Sequence, residues 1–420
     1  MMFILFFFLK LIQCEIIIIP FTKTKSFNGD LYSYLFLNEY ETIISIGTPI
    51  QKIQAYINPK KHHLIISGTK LNGQFNEDKS KTYEQKGIFE EFFNIKPIKS
   101  GFISNETFSL NTHNGKIIQA EKISFILATG IDKNEKFNSA QIGLGLYDSS
   151  LIQNQNLIHQ LKIRNYINSY SYFFQFDNYD KGKIIIGEKP HEYNNSYLNK
   201  IFNYIKVDSY DNIYHLQFEN VSICNYNIIN KNIYAQFNFS FGGFITNLNN
   251  QKIFENLFFS KYIEKSLCKK EKKQQFWIYY CEYNVNIAQF NIIKFYNLEL
   301  NYTFEFNYKD LFIQYNEKYY FMIMFSEEYY IPWILGQIFF QKYQIILDQN
   351  KRILGIYINN PKSKNNKYFI SWIIIFILLF LIIFLGILLH RKKQLMPKRI
   401  KANELLDEDL IINNYIKIVK

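Results

Sequence analysis

Proline and glycine are scarce in this 420-residue chain, at 8 and 17 residues, and there are only 4 cysteines and 3 tryptophans. With 48% hydrophobic and 20% charged residues, the chain is neither disordered nor low-complexity. It lacks a Gly-rich phosphate loop, a Ser nucleophile elbow and a Cys-x-x-Cys pair, which removes the chemistries those motifs serve. The net charge of +12 is not gathered into a basic stripe with interleaved aromatics, so no nucleic-acid partner is expected. What is abundant is aromatic: 41 Phe and 33 Tyr. Rings fit pleated surfaces, so a β-rich body is expected.

The ends set the compartment. Residues 1–13 form an apolar run of signal-peptide length, followed by the small Cys14, so 1–14 is read as a signal peptide; a buried first strand is the alternative. Phe369 to Leu389 holds 21 residues without a charge, which at ~1.5 Å per residue spans a ~30 Å hydrocarbon core. This is the expected transmembrane helix, with 359–368 as linker. His390-Arg391-Lys392-Lys393 marks the cytoplasmic side. The tail, 390–420, carries eight basic and four acidic residues from Arg391 on, placing positive charge beside anionic lipid. A single-pass type I protein follows, with its large domain extracellular or in a secretory or endosomal lumen. Tyr415 and Ile418 have the spacing of an endocytic sorting signal that an adaptor would bind, and a bland tail is the competing reading.

Between the ends the chain reads as strands. Thr42 to Ile57 and Gln344 to Ile358 alternate apolar and polar residues around turn clusters, as hairpins do. Gln251 to Lys265 is the clearest helix. Cys268 and Cys281 bracket a charged hairpin-like segment that a disulfide would close, contributing on the order of 3 kcal/mol in the chain-entropy model. Cys224 reads as a small buried apolar residue. Asn105, Asn194, Asn220, Asn238 and Asn301 head Asn-x-Ser/Thr sequons and are candidate glycan sites. His62 and His63, taken as strand neighbours, would point to opposite faces, so no metal site is expected. No cofactor is implied. A strand ending in Ala55-Tyr56-Ile57 runs into Asn58 and is followed, much later, by the Gly-rich Ile142 to Leu146. Ala235-Gln236-Phe237 similarly runs into Asn238, followed at comparable distance by Trp333 to Gly336. The recurrence points to two homologous lobes, 15–195 and 196–358.

Tyr40 to Gln51, with its Ile46-Gly47-Thr48-Pro49-Ile50-Gln51 run, resembles the strand preceding the first active-site loop of pepsin-like aspartic proteases. Asp78 to Tyr83, Gly182 to Gly187, and Trp333 to Tyr343 with Leu347-Asp348 and Ile353-Leu354-Gly355 resemble later segments of that family, in its order. The resemblance implies a mainly β fold of two lobes around a peptide-binding cleft, and it fits a disulfide between Cys268 and Cys281.

That family's chemistry needs two carboxylates sharing one proton, one to activate water and one to hydrogen-bond the substrate carbonyl. A gapless alignment from Gly47 to Ile66 instead puts Asn58-Pro59-Lys60 on the first loop. The second loop carries Asn238-Phe239-Ser240, or Phe239-Ser240-Phe241 if the register slips by one. An amide cannot act as a base, and Pro59 removes a hydroxyl and an N–H. The sole Asp-x-Gly, Asp180-Lys181-Gly182, belongs to another hairpin. Residues 84–146, which should carry the flap tyrosine, contain no Tyr, and Lys96-Pro97-Ile98-Lys99 suggests a shortened flap. The expectation is an inactive, membrane-anchored relative that binds a peptide or protein. The competing readings are an active endopeptidase with an atypical site and a purely structural coat protein.

Overall fold

A computed structural model of the protein describes residues 14–24, 31–89, 98–131, 139–146, 156–194, 197, 200–207, 214–224, 226–229, 232–328, 331–359 and 377–391. Two compact units divide at Ile358/Asn359. The first is mainly β, with sheets of 13, 8 and 4 strands.

Both expected hairpins form. Tyr40–Ile46 pairs with Gln51–Asn58 from Tyr40↔Ile57 to Ile46↔Gln51, and alternation puts Ile44, Ile46, Ile53, Ala55 and Ile57 in the core. Ile345–Asp348 pairs with Ile353–Asn359. This second hairpin does not stay with its own half of the chain. It joins Lys200–Lys206, Ser171–Phe176, Lys181–Ile186 and Ile17–Lys23 in the 13-stranded sheet. Strands from both halves thus share one sheet, which ties the halves together through backbone hydrogen bonds.

The repeat is topological. In the first half, Ala140–Gly143 lies between Gln51–Asn58, to which it is parallel, and Leu64–Ser67, to which it is antiparallel. In the second, Trp333–Leu335 lies between Ile233–Phe237, again parallel, and Phe244–Asn247, again antiparallel. The flanking strands match too, since Leu64–Ser67 runs parallel to Ile117–Ile131 and Phe244–Asn247 parallel to Lys318–Ser326. Each half therefore threads a late strand between two consecutive early ones.

The expected helix is Leu248–Phe254, continued through a π-helical segment, Glu255–Phe259, into Ser260–Ile263. Cys268 and Cys281 are bonded across the hairpin Cys268–Lys273/Phe276–Glu282. Cys224 corrects its expectation. It occupies an exposed turn with φ 52°, because the apolar run around it is broken into Asn220–Ile223 and Tyr226–Ile229. Its Sγ donates to Asn291 Oδ1 at 3.1 Å.

Among the described residues no helix is long and apolar enough to cross a membrane. A helix is described over 377–391 with its apolar side chains exposed; residues 369–376 of the expected span lie outside the described residues. So do 1–13 of the expected signal peptide, the linker from 360 on, and Tyr415 and Ile418.

Candidate functional site at the paired asparagine loops

Asn58 ends its strand opposite Gly143, and Asn238 follows Phe237, which lies opposite Leu335. The two residues hold the same place in the repeat, which selects the Asn238-Phe239-Ser240 register. Each loop is closed by its side-chain oxygen. Asn58 Oδ1 accepts from the backbone N–H groups of Lys60 and Lys61 at 3.0 and 3.1 Å. Asn238 Oδ1 accepts from Ser240 N at 3.1 Å. These are Asx turns, a geometry in which Asn and Asp are equally at home.

The amide nitrogens differ. Asn58 Nδ2 donates to Gln141 Oε1 at 3.1 Å. Asn238 is 1% exposed, and its Nδ2 has no acceptor among the described residues. Since Oδ1 is committed to Ser240, the amide orientation is settled by that bond, and an N–H is left over.

Glycines let the threaded strand pass beneath each loop. A Cβ on Gly143 would lie 2.5 Å from His62 C and His63 N, and one on Gly336 2.1 Å from Gly243 O. The backbones are bonded there: Gly145 N donates to Lys61 O at 2.7 Å, and Gln337 N to Phe241 O at 2.8 Å.

The next loop position differs between the halves. Pro59 offers neither hydroxyl nor N–H. Phe239, 2% exposed, turns into the core, its ring 4.0 Å from Phe174 and 5.8 Å from Phe340. The stretch Asn38–Tyr40 bridges the loops. Tyr40 is paired with Ile57 while its ring lies 6.2 Å from Phe239. Asn38 N donates to Ser240 O at 2.7 Å, and its Nδ2 donates to Phe239 O at 3.1 Å and Gln337 Oε1 at 2.8 Å. Asn38 and Gln141 were not marked by the sequence, since neither belongs to a motif and both act only through folding.

The first loop is cationic. Lys60 is an exposed residue, but its ammonium loses part of its hydration to the surrounding loop, which together with neighbouring Lys61 lowers its pKa. His63, 7% exposed, is pushed down to about 3 by burial, with His62 and Lys61 adding to the shift. His63 is therefore neutral at any ordinary pH. The two histidines do not face apart. Their ring centroids lie 3.8 Å from each other, because both sit in the loop before Leu64–Ser67, where strand alternation does not apply. Among the described residues no group of three or more His, Cys, Asp or Glu could hold a metal.

The other marked residues lie elsewhere. Asp180 turns a hairpin and its carboxylate accepts from Tyr34 OH at 2.9 and 3.0 Å. The flap segment leaves the described residues between Phe89 and Ile98, its last and first paired positions being Phe89↔Gly101 and Ile98↔Ile131. Lys96 and Pro97 fall outside. Among the sequons, Asn194 and Asn301 are exposed and Asn105 and Asn220 half-buried. Asn238 is enclosed, so the folded chain offers no room for a glycan there.

A family model described as Eukaryotic aspartyl protease matches residues 39–357. No curated protein sequence matches the chain. Solved structures that it resembles include basic 7S globulin from soybean, at TM-score 0.62 and 13% identity, covering 84% of this chain and 97% of that one. Conglutin gamma, a basic 7S globulin from lupine seeds, matches at TM-score 0.61 and 11% identity, with 84% and 97% covered. Identities this low speak for the fold alone.

Proposed function

The chain belongs to the eukaryotic aspartyl protease family, and we propose that its two Asx-turn residues stand where a carboxylate pair would work and that it binds peptide or protein without aspartic proteolysis. The observation that carries this reading is Asn58 and Asn238 at equivalent places in the repeat. Water attack needs one group to take a proton and one to give it. An amide takes none at any relevant pH. The described scaffold around the loops nevertheless keeps the glycines on which both crossings depend. A fold that keeps its geometry and lacks its base is suited to binding.

We propose further that the ectodomain is anchored by the apolar segment Phe369 to Leu389, with the basic flank from His390 on the cytoplasmic side. The lipid bilayer is then a partner, and the tail with Tyr415 and Ile418 is open to an adaptor.

The test is a peptide-library digestion between pH 3 and 7, with and without a transition-state-mimicking aspartic protease inhibitor. No inhibitor-sensitive cleavage is expected; its presence would establish the competing reading, an active endopeptidase. The double replacement Asn58→Asp/Asn238→Asp is expected to remain inactive as well. The Asx turns accept Asp unchanged, but Pro59 still lacks the hydroxyl and Phe239 still fills the matching place in the second loop. Robust cleavage by this variant would show that the amides alone silence the site.

A further inference from the structure

We propose that Asn301 carries an N-linked glycan, rooted on the outer face of the four-stranded sheet; the inference rests on the reading above that the ectodomain lies on the far side of the membrane from the cytoplasm. The sequence presents its sequons as equals, and the fold separates them. Asn301 ends the turn between the strands Ile293–Asn297 and Tyr302–Phe306. Its φ is 44°, a left-handed conformation that Asn tolerates better than most residues. The turn is tied down along its length. Asn301 N donates to Leu298 O at 3.0 Å, Leu300 N to Asn297 Oδ1 at 2.7 Å, and Leu298 N to Glu219 Oε2 at 2.6 Å.

The side chain is oriented as well. Tyr296 OH donates to Asn301 Oδ1 at 3.2 Å. That bond settles which end of the amide is oxygen, and it leaves Nδ2 on an exposed residue with no acceptor among the described residues. Tyr296 is the cross-strand partner of Thr303, so its ring and the sequon's hydroxyl share one face of the sheet. Leu298, on the same turn, is 62% exposed. The first sugar therefore has an aromatic ring and an apolar side chain beside it for its C–H faces.

The other sequons lack this combination. Asn105 lies within the strand Ile98–Thr112, opposite Glu84, and hydrogen-bonds its carboxylate. Asn220 commits Nδ2 to Asn227 Oδ1 at 3.0 Å, and its own Oδ1 is buried. Asn238 is enclosed. For Asn194, the sequon's Ser196 lies outside the described residues.

The co-reactant is an oligosaccharide linked to a lipid diphosphate, supplied with its transferase in the secretory lumen. Asn301 Nδ2 bonds to the anomeric carbon while the bond from that carbon to the diphosphate oxygen breaks. The electron pair leaves with the lipid diphosphate, and one amide proton is lost to a base of the transferase. The product is a bulky, solubilising surface group.

The full-length protein, made in a eukaryotic secretory host, is treated with a glycosidase that cleaves the Asn–sugar bond and leaves Asp behind. Peptide mass spectrometry is expected to find Asp at residue 301 after treatment and only then. On gels, Thr303→Ala should run smaller by one glycan and Thr303→Ser should keep it, since the hydroxyl is retained. Asn301→Asp, which preserves the turn and the acceptor for Tyr296 OH, should also lose one glycan. Glycans at other sequons with residue 301 unmodified, or a Thr303→Ala protein of unchanged size, overturn this inference and leave the luminal placement standing. Absence of any glycan overturns both.

Discussion

Gly243→Ala should leave little folded protein. A Cβ at this position would sit 2.0 Å from Met322 O, 2.7 Å from Met322 C and 3.1 Å from Met322 Cα. All three contacts are backbone, and all belong to the strand Lys318–Ser326, whose residues from Tyr320 to Phe325 are buried. No rotamer change relieves a clash with backbone; a strand has to move. The nearest strand that could give way, Trp333–Leu335, is itself pinned, since a Cβ on Gly336 would be 2.1 Å from Gly243 O. Overpacking of a tight core costs ~1–3 kcal/mol where side chains can adjust, so more than about 4 kcal/mol is expected here. Fluorescence of the buried Trp333 during urea titration measures it. Gly87→Ala, where an added Cβ meets nothing within 4 Å, is the matched control and should be near neutral. A Gly243→Ala protein with an unchanged midpoint would mean that the crossing of strands is looser than its geometry.

Lys23→Met should stabilise the protein. Lys23 is 6% exposed and its Nζ has no hydrogen-bond partner among the described residues. It lies over two rings, 4.1 Å from the Tyr179 centroid and 5.1 Å from that of Tyr34, while Asp180 is engaged by Tyr34 OH. Burial pushes its pKa down to about 7, against a partial opposing pull from Asp180. The unfolded chain holds this proton up to about 10.4. Between those values the unfolded state binds more protons, so stability rises with pH from about 7 to about 10, and at pH 7 and below the full penalty is present. The shift corresponds to on the order of 5 kcal/mol, and the rings return part of it, leaving a gain on the order of 3 kcal/mol for Met at pH 6. Methionine keeps the reach and the sulfur–ring contact. Urea midpoints at pH 6, 8 and 10 decide the matter. The natural protein should gain stability across the series from this group, and the variant should lack that gain. A less stable variant with an unaltered slope would place the ammonium in a role worth more than its burial costs.

Neither position was foretold by the sequence. Gly243 belongs to no segment marked in the sequence, and its close approach to Met322 emerges only once Phe244–Asn247 lies beside Lys318–Ser326. Lys23 is equally unmarked, because nothing local says that Tyr34 and Tyr179, one from a short helix and one from a distant turn, will close over it. His62 and His63 failed in the same way. Alternation describes residues inside a strand, and the strand begins one residue later, at Leu64.

Local chemistry and linear order were enough for the hairpins, the second-half disulfide, the family and the absence of a carboxylate at residues 58 and 238. Each depends on nearest neighbours or on residue identity alone. Only tertiary structure decided that the last hairpin crosses into the sheet of the first half, that Cys224 is exposed, and that Asn238 keeps an N–H without an acceptor among the described residues. Those outcomes depend on which distant backbone arrives beside a residue. That is set by the free energy of the whole packed fold, in which alternation and propensity are only the local terms.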